Sequence, residues 1–415
     1  MKLRCPRGFW WAALGWVGVA LWPGSVNAEW REVGVLTASN ASRYDGFGTS
    51  LSLSGDGALF GAPAVYAEHA AYVFTHGPAG WAETAKLTPP GQPRQDYFGT
   101  AVSLSGDHAI VTEPGYAHWS GVAHIFEKVD STWTYAAELV PAGRGYADYF
   151  GRSAAMNGKH AIVGSIWHSH NGMHESGAAY VFERGEAGWD ESAKLVPSDL
   201  AAEQYLGYSV AVNGDVAVVG STAEAAYVFE RGEAGWFESQ KLVPSDGTGR
   251  DGFGQRVAVD GDTILVSAKR HDVSGISDSG CVYVYERAGG TWAETGALVP
   301  SDPAAEVEFG EAVALGGNTA VVGCYFDDGG AHPGAAYIFE RQADAWSETA
   351  RLTASDAEPY DAFGCSATVE GGNVMVGTGT GPDNCGQVYV FTPEPATLAL
   401  LAAGAAGVML KRRRR

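Results

Sequence analysis

A tryptophan recurs seven times in this 415-residue chain, at Trp30, Trp81, Trp133, Trp189, Trp236, Trp292 and Trp346. Seventeen positions after each stands an apolar residue followed by Gly: Phe47, Phe98, Phe150, Leu206, Phe253, Phe309 and Phe363. The period varies between 47 and 56 residues, yet this interval never slips. Self-similarity of that length means that one supersecondary unit buries its apolar face on the next, so the chain is an array of like units.

Each unit reads as four short strands. Eight residues after the Phe position comes a Gly (Gly55, Gly106, Gly158, Gly214, Gly261, Gly317, Gly371) beside Asp, Asn, Ser or another Gly. Gly takes positive φ without steric cost, which a tight hairpin requires. Strand a before it alternates small residues with Val or Leu, as in Ser209-Val210-Ala211-Val212. Strand b after it is a short apolar run such as Ile162-Val163, closing on a small residue (Gly61, Thr112, Gly164, Gly220, Ser267, Gly323, Gly377). Strand c carries Tyr-Val-Phe, as at Tyr180-Val181-Phe182, and the Trp opens strand d.

Seven such units predict an all-β, seven-bladed β-propeller of four-stranded antiparallel blades. The first Trp would open a lone strand d and the last Tyr-Val-Phe, Tyr389 to Phe391, would lack one. Pairing these two ends completes the seventh blade and hides edges that an open array would expose.

Three segments are expected: a leader over 1–28, the propeller over 29–392, and a tail over 393–415. Lys2, Arg4 and Arg7 precede an apolar run and the small residues Val26-Asn27-Ala28, the pattern of a secretory signal peptide, with an N-terminal membrane anchor as the alternative. In the tail, Pro393-Glu394-Pro395 is followed by an apolar run from Leu398 to Leu410 and by Lys411 and four Arg. This arrangement resembles the bacterial PEP-CTERM sorting signal. The resemblance implies an exosortase-type membrane protease as partner and export to the surface of a Gram-negative bacterium. The apolar run falls short of the roughly 20 residues of a spanning helix, which suits transient membrane contact better than a permanent anchor.

Setting aside three basic residues of the leader, five of the tail and Glu394 leaves 19 basic against 47 acidic residues, a net of −28. Such a surface repels nucleic acid and anionic lipid. Cys281, Cys324, Cys365 and Cys385 remain after the leader, and export permits disulfides. Cys324 and Cys365 fall at the same end of neighbouring blades and form the preferred pair; free thiols are the alternative.

Phe47-Gly48 followed by Gly61-Ala62-Pro63 supplies both halves of an FG-GAP repeat, and the core resembles FG-GAP propellers such as integrin α-chain heads. Members often bind calcium in a DxDxDG loop between their first strands. Here that connection shrinks to a two-residue turn such as Asn157-Gly158 or Gly316-Gly317, too short for six or seven oxygen ligands. Asp45, Asp96, Asp148, Asp251 and Asp361, two residues before the Phe-Gly, are expected to cap their own turns.

All variation in unit length lies between strands b and c, whose loops share one end of the ring with the d-to-a connections. Variable loops on a rigid scaffold commonly carry binding. The richest lie in adjacent blades and offer Tyr116, His118 and Trp119, then Trp167, His168, His170 and His174 as ligand-binding candidates. Trp and Tyr rings are flat surfaces on which sugar rings rest; the competing expectation is that they only pack the loops. His168, His170 and His174 have spacing that would suit zinc, with Glu175 as fourth ligand, although no companion motif supports a metal or other cofactor. Nucleophile, P-loop and zinc-hydrolase motifs are absent. The reading is a secreted, non-enzymatic propeller that binds polysaccharide or protein partners in the envelope or matrix. A polysaccharide-active lyase or hydrolase and a purely structural matrix protein are the alternatives.

Overall fold

The computed structural model describes residues 29–42, 44–63, 69–91, 96–324, 333–343, 345–358, 361–379 and 386–394. The leader, the tail from Pro395 onward with its apolar run, and Cys385 lie outside them. Within the unit Glu29–Glu394, the described residues form seven four-stranded antiparallel sheets, each a blade. Six are consecutive in sequence. In the seventh, Trp30–Leu36 pairs with Gln387–Pro393, so the first strand completes the last blade. Pro393 is the last residue of that strand and pairs with Trp30, so the fold takes in the first residue of the Pro-Glu-Pro motif.

The seven hairpin glycines share a φ of 54° to 59°. They hold the first of the two turn positions, as in a type II′ turn in six blades, while in the seventh Gly372 follows with φ of 82°, as in type I′. The turn is therefore Gly158-Lys159 or Gly317-Asn318, one residue later than the sequence suggested, because Asn157 pairs with His160 and Gly316 with Thr319.

Seven apolar clusters lie between adjacent blades, one per interface, and the Phe or Leu of each Phe-Gly plugs one of them with no exposed surface. The closing Gly of strand b fits against the next blade: a Cβ on Gly164 would lie 2.0 Å from the carbonyl oxygen of Gly207, and one on Gly220 1.9 Å from that of Gly254. A hydroxyl three residues after the Phe reaches the same carbonyls, as Ser153 Oγ to Gly207 O at 2.8 Å and Ser209 Oγ to Gly254 O at 2.9 Å. Where strand b ends in Thr112 or Ser267 instead, strand a carries Ala101 or Arg256, and the hydroxyl accepts the N–H of that residue at 3.0 Å. Six of the seven junctions thus keep a hydroxyl on one strand or the other, and blade 6, with Ala312 and Gly323, has none.

Four of the five Asp residues cap their turns as expected. The carboxylates of Asp45, Asp148, Asp251 and Asp361 accept the N–H of Ser42, Gly145, Thr248 and Glu358 at 2.5 to 2.8 Å. For Asp96 the residue three before it lies outside the described residues.

The expected Cys324–Cys365 disulfide is not formed, and Cys281 is also a free thiol. The two backbones approach, with an ideal Cβ on Gly364 only 3.2 Å from the Cys324 nitrogen, but the thiols face different surroundings. Cys324 packs with Phe309, Ala335 and Tyr337 at a blade interface. Cys365 lines the axial channel and lies 3.5 Å from the carbonyl oxygen of Gly377.

Candidate functional site on the loop face of blades 2 and 3

The residue before the Phe of every Phe-Gly is left-handed, with φ between 49° and 71°. Gly46 and Gly252 accept this freely, whereas Tyr97, Tyr149 and Tyr205 hold it at a cost of about 1 kcal/mol each. A second irregularity lies in the b-to-c loop of blade 2. In the turn Tyr116–Trp119, Ala117, His118 and Trp119 have φ of 50°, 63° and 64° in succession. Backbone bonds then tie the loops together. The N–H of Tyr149 donates to the carbonyl of Trp119 at 2.8 Å, and that of Trp167 to the carbonyl of Asp148 at 3.2 Å.

The result is a continuous file of rings. Tyr97 and Trp119 lie 5.3 Å apart between centroids, Trp119 and Tyr149 stack at 5.6 Å and 18°, and Tyr149 meets Trp167 at 4.5 Å. Trp119 and Trp167 remain 39% and 37% exposed, so the file is neither buried packing nor a loose set of side chains. Beside it His118 stacks on the exposed ring of Tyr146 at 6.1 Å, and the Arg144 guanidinium lies 5.9 Å over Tyr116. The structure therefore brings Tyr116, His118, Trp119 and Trp167 onto one surface. Tyr97, Tyr146 and Tyr149 belong to it as well; they lie in the d-to-a connections, where the sequence reading did not look.

The histidines behave differently. Lys194 Nζ lies 2.6 Å from His168 Nε2 and 3.1 Å from His170 Nδ1, so an ammonium holds the place between these rings. The far nitrogen of His168 meets Asp148 Oδ2 at 3.1 Å. His174 is apart from them, largely exposed and 3.7 Å from Glu175. His168, His170 and His174 thus do not converge on one point, and no metal-holding group of His, Cys, Asp or Glu occurs among the described residues. In blade 5 the corresponding His271 makes the same bond, to Asp251 at 3.2 Å. His168 is accordingly a loop fastener. Desolvation by burial would raise the Asp148 carboxyl, but hydrogen bonds from His168 and Gly145 outweigh it and hold the group below its ordinary value.

Next to this fastener opens a cavity of about 390 Å³ lined by Gly143, Tyr146, Asp148, Trp167, His168 and His174, among others. It joins the aromatic file at Trp167.

Fold and site together define a seven-bladed propeller with a variable, aromatic loop face. Seven matches to the FG-GAP repeat model, over residues 30–74, 81–126, 133–182, 189–234, 236–285, 292–339 and 346–391, cover most of the chain, which belongs to this family. Residues 391–415 match the PEP-CTERM protein-sorting motif. That motif marks an exported protein of a Gram-negative bacterium, sorted to the surface or exterior, and implies processing by an exosortase. No curated protein matches the chain. Among the described residues no helix is long and apolar enough to cross a membrane.

Proposed function

We propose that this exported propeller is a non-enzymatic binding module that holds polysaccharide of the cell's exterior on the loop face of blades 2 and 3. The observation that carries the reading is the file Tyr97, Trp119, Tyr149 and Trp167, whose two Trp rings stay over one third exposed although each touches another ring. Exposed contiguous aromatics mark interaction surfaces, and Trp and Tyr combine an apolar ring face with a polar edge, as a sugar does. In blade 2 Ala117, His118 and Trp119 hold three successive left-handed conformations to build this surface, and such strain clusters at binding sites.

The test is binding of the exported protein to a panel of extracellular polysaccharides, with Trp119→Ala and Trp167→Ala introduced together. Loss of at least about tenfold in affinity, or ~1.4 kcal/mol, is expected with unchanged thermal melting. Undiminished binding by the double variant overturns the site. Failure to bind any polysaccharide, with capture of a surface protein instead, overturns the ligand class.

A further inference from the structure

Seven copies of one blade allow each position to be compared with its equivalents. Seven residues before each Phe-Gly stands a loop residue that serves the Tyr of strand c. In blade 1 Tyr72 donates to Asn40 at 2.8 Å. In blades 5, 6 and 7 Tyr283, Tyr337 and Tyr389 donate to Asp246, Asp302 and Asp356 at 2.6, 2.8 and 2.6 Å. In two blades the same carboxylate also takes a cation from strand d, Lys241 to Asp199 at 2.6 Å and Arg351 to Asp302 at 3.3 Å. In blade 2 the position is Gly91, and His124 replaces the Tyr. Its partner comes from the blade itself, Glu113 at 2.9 Å.

Blade 3 alone keeps the donors and lacks the acceptor. The equivalent loop residue is Gly143, yet Tyr180 and Lys194 are both present, the ammonium 5.7 Å over the ring. The Tyr180 hydroxyl is fully buried with no hydrogen-bond partner, and Lys194 turns to ring nitrogens of His168 and His170 in place of a carboxylate. A buried hydroxyl left unpaired is costly, because it gives up its hydrogen bonds to water and gains none in return. The nearby carboxylates are engaged elsewhere, Asp148 by Gly145 and His168, and Glu191 by the N–H of Ala142. Gly143, where the carboxylate is missing, lines the 390 Å³ cavity that opens beside Trp167 and Tyr146.

We propose that this cavity takes the carboxylate of a sugar acid at Gly143, in the open space of the absent Asp side chain, while its ring rests at Trp167. Tyr180 and Lys194 stand behind the lining, and Lys194 reaches the carboxylate by leaving His168, which does line the cavity. The carboxylate then forms an ion pair with the ammonium, as Asp302 does with Arg351 in blade 6. Burial pulls the Lys194 ammonium below its ordinary value, with Asp148 and Glu191 opposing, and a bound carboxylate restores it. The inference rests on the polysaccharide reading above and narrows it to acidic chains built on uronic acids.

The experiment titrates the exported protein with a polyuronate oligomer and with the same oligomer carboxyl-reduced. The acidic form is expected to bind about tenfold more tightly. Gly143→Asp supplies the missing carboxylate from within the chain. A Cβ there meets nothing within 4 Å, and Asp tolerates the φ of +76°. This variant and Lys194→Met are both expected to erase the preference and leave binding of the reduced oligomer intact. Equal binding of the two oligomers by the unaltered protein overturns the carboxylate site while the polysaccharide reading stands. No binding of either overturns the inference, while the polysaccharide reading is decided by the panel. A preference that survives in Gly143→Asp places the carboxylate elsewhere and also overturns the inference.

Discussion

The hydroxyl of Ser366 donates to the carbonyl of Gly48, a residue 318 positions earlier in the chain. The bond is the one that joins Ser50 to Gly99, Ser153 to Gly207 and Ser209 to Gly254 between consecutive blades. Ring closure therefore uses the ordinary junction of the repeat. Ser366→Ala is expected to cost about 1 kcal/mol in urea unfolding, and Ser153→Ala a similar amount, because each removes one hydrogen bond of the same kind. A much larger loss for Ser366→Ala would show that the seam is a special joint.

The close approach at the end of strand b sets a sharper limit. With a Cβ at Gly164 only 2.0 Å from Gly207 O, Gly164→Ala must push two blades apart. Overpacking of this kind costs about 3 kcal/mol or more. The equivalent hairpin position Gly158 has open space around its Cβ, so Gly158→Ala is expected to lose only the price of its φ, about 1 kcal/mol. Urea midpoints of the two variants give the comparison.

Asp251 predicts an acid dependence. Burial would raise its carboxyl, but hydrogen bonds from the Thr248 hydroxyl and N–H and from His271 outweigh that and hold it below the ordinary value. The stabilisation is present above the unfolded carboxylate value, near 3.9, and is lost as pH falls through the lower folded value. Asp251→Asn is expected to destabilise by about 1–2 kcal/mol at pH 7 and to differ little from the parent near pH 2. A constant difference across unfolding curves from pH 7 to pH 2 would contradict this.

Thiol chemistry is separately testable. Burial pushes Cys281 up to about 12, Cys324 to about 11 and Cys365 to about 12. Since the thiolate is the reactive form, all three should resist alkylation at pH 8 in the folded protein and react on unfolding. Peptide mapping after labelling reads each site, and a bridged Cys324–Cys365 peptide would refute the free-thiol structure.

The blade count, the four strands and the closure were legible because each depends on spacing and on side-chain type. The Phe plugs and hairpin glycines are fixed in type and place, so interfaces and turns follow from them. The site was legible only by halves. Trp119 and Trp167 stand out as large rings in long loops, but Tyr97 and Tyr149 hide at a position where blade 4 also has a Tyr and the remaining blades have Gly, Glu or Ala. Their left-handed backbone is not visible in residue type. The histidines suggested a metal because spacing along a loop says nothing of Lys194, which enters from strand d. Gly143 carries its meaning only against the Asp of its equivalents, and the hydrogen bonds to Tyr283, Tyr337 and Tyr389 supply that comparison. A further repeat, Glu two residues after six of the seven Trp, was also available. Glu83, Glu191, Glu238, Glu294, Glu348 and Glu32 each accept a backbone N–H from the preceding blade's outgoing loop, while Tyr135 takes the place in blade 2.

The seam between Trp30 and Pro393 also gives the molecule an orientation. Strand c ends and strand d begins on the side of the ring opposite the b-to-c loops, and there the N–H of Glu394 donates to the carbonyl of Glu29 at 2.7 Å. The first and last residues of the propeller, Glu29 and Glu394, thus share one small patch of that underside. The Trp119 and Trp167 rings, carried on the b-to-c loops, therefore face away from the point where the first and last residues of the propeller meet.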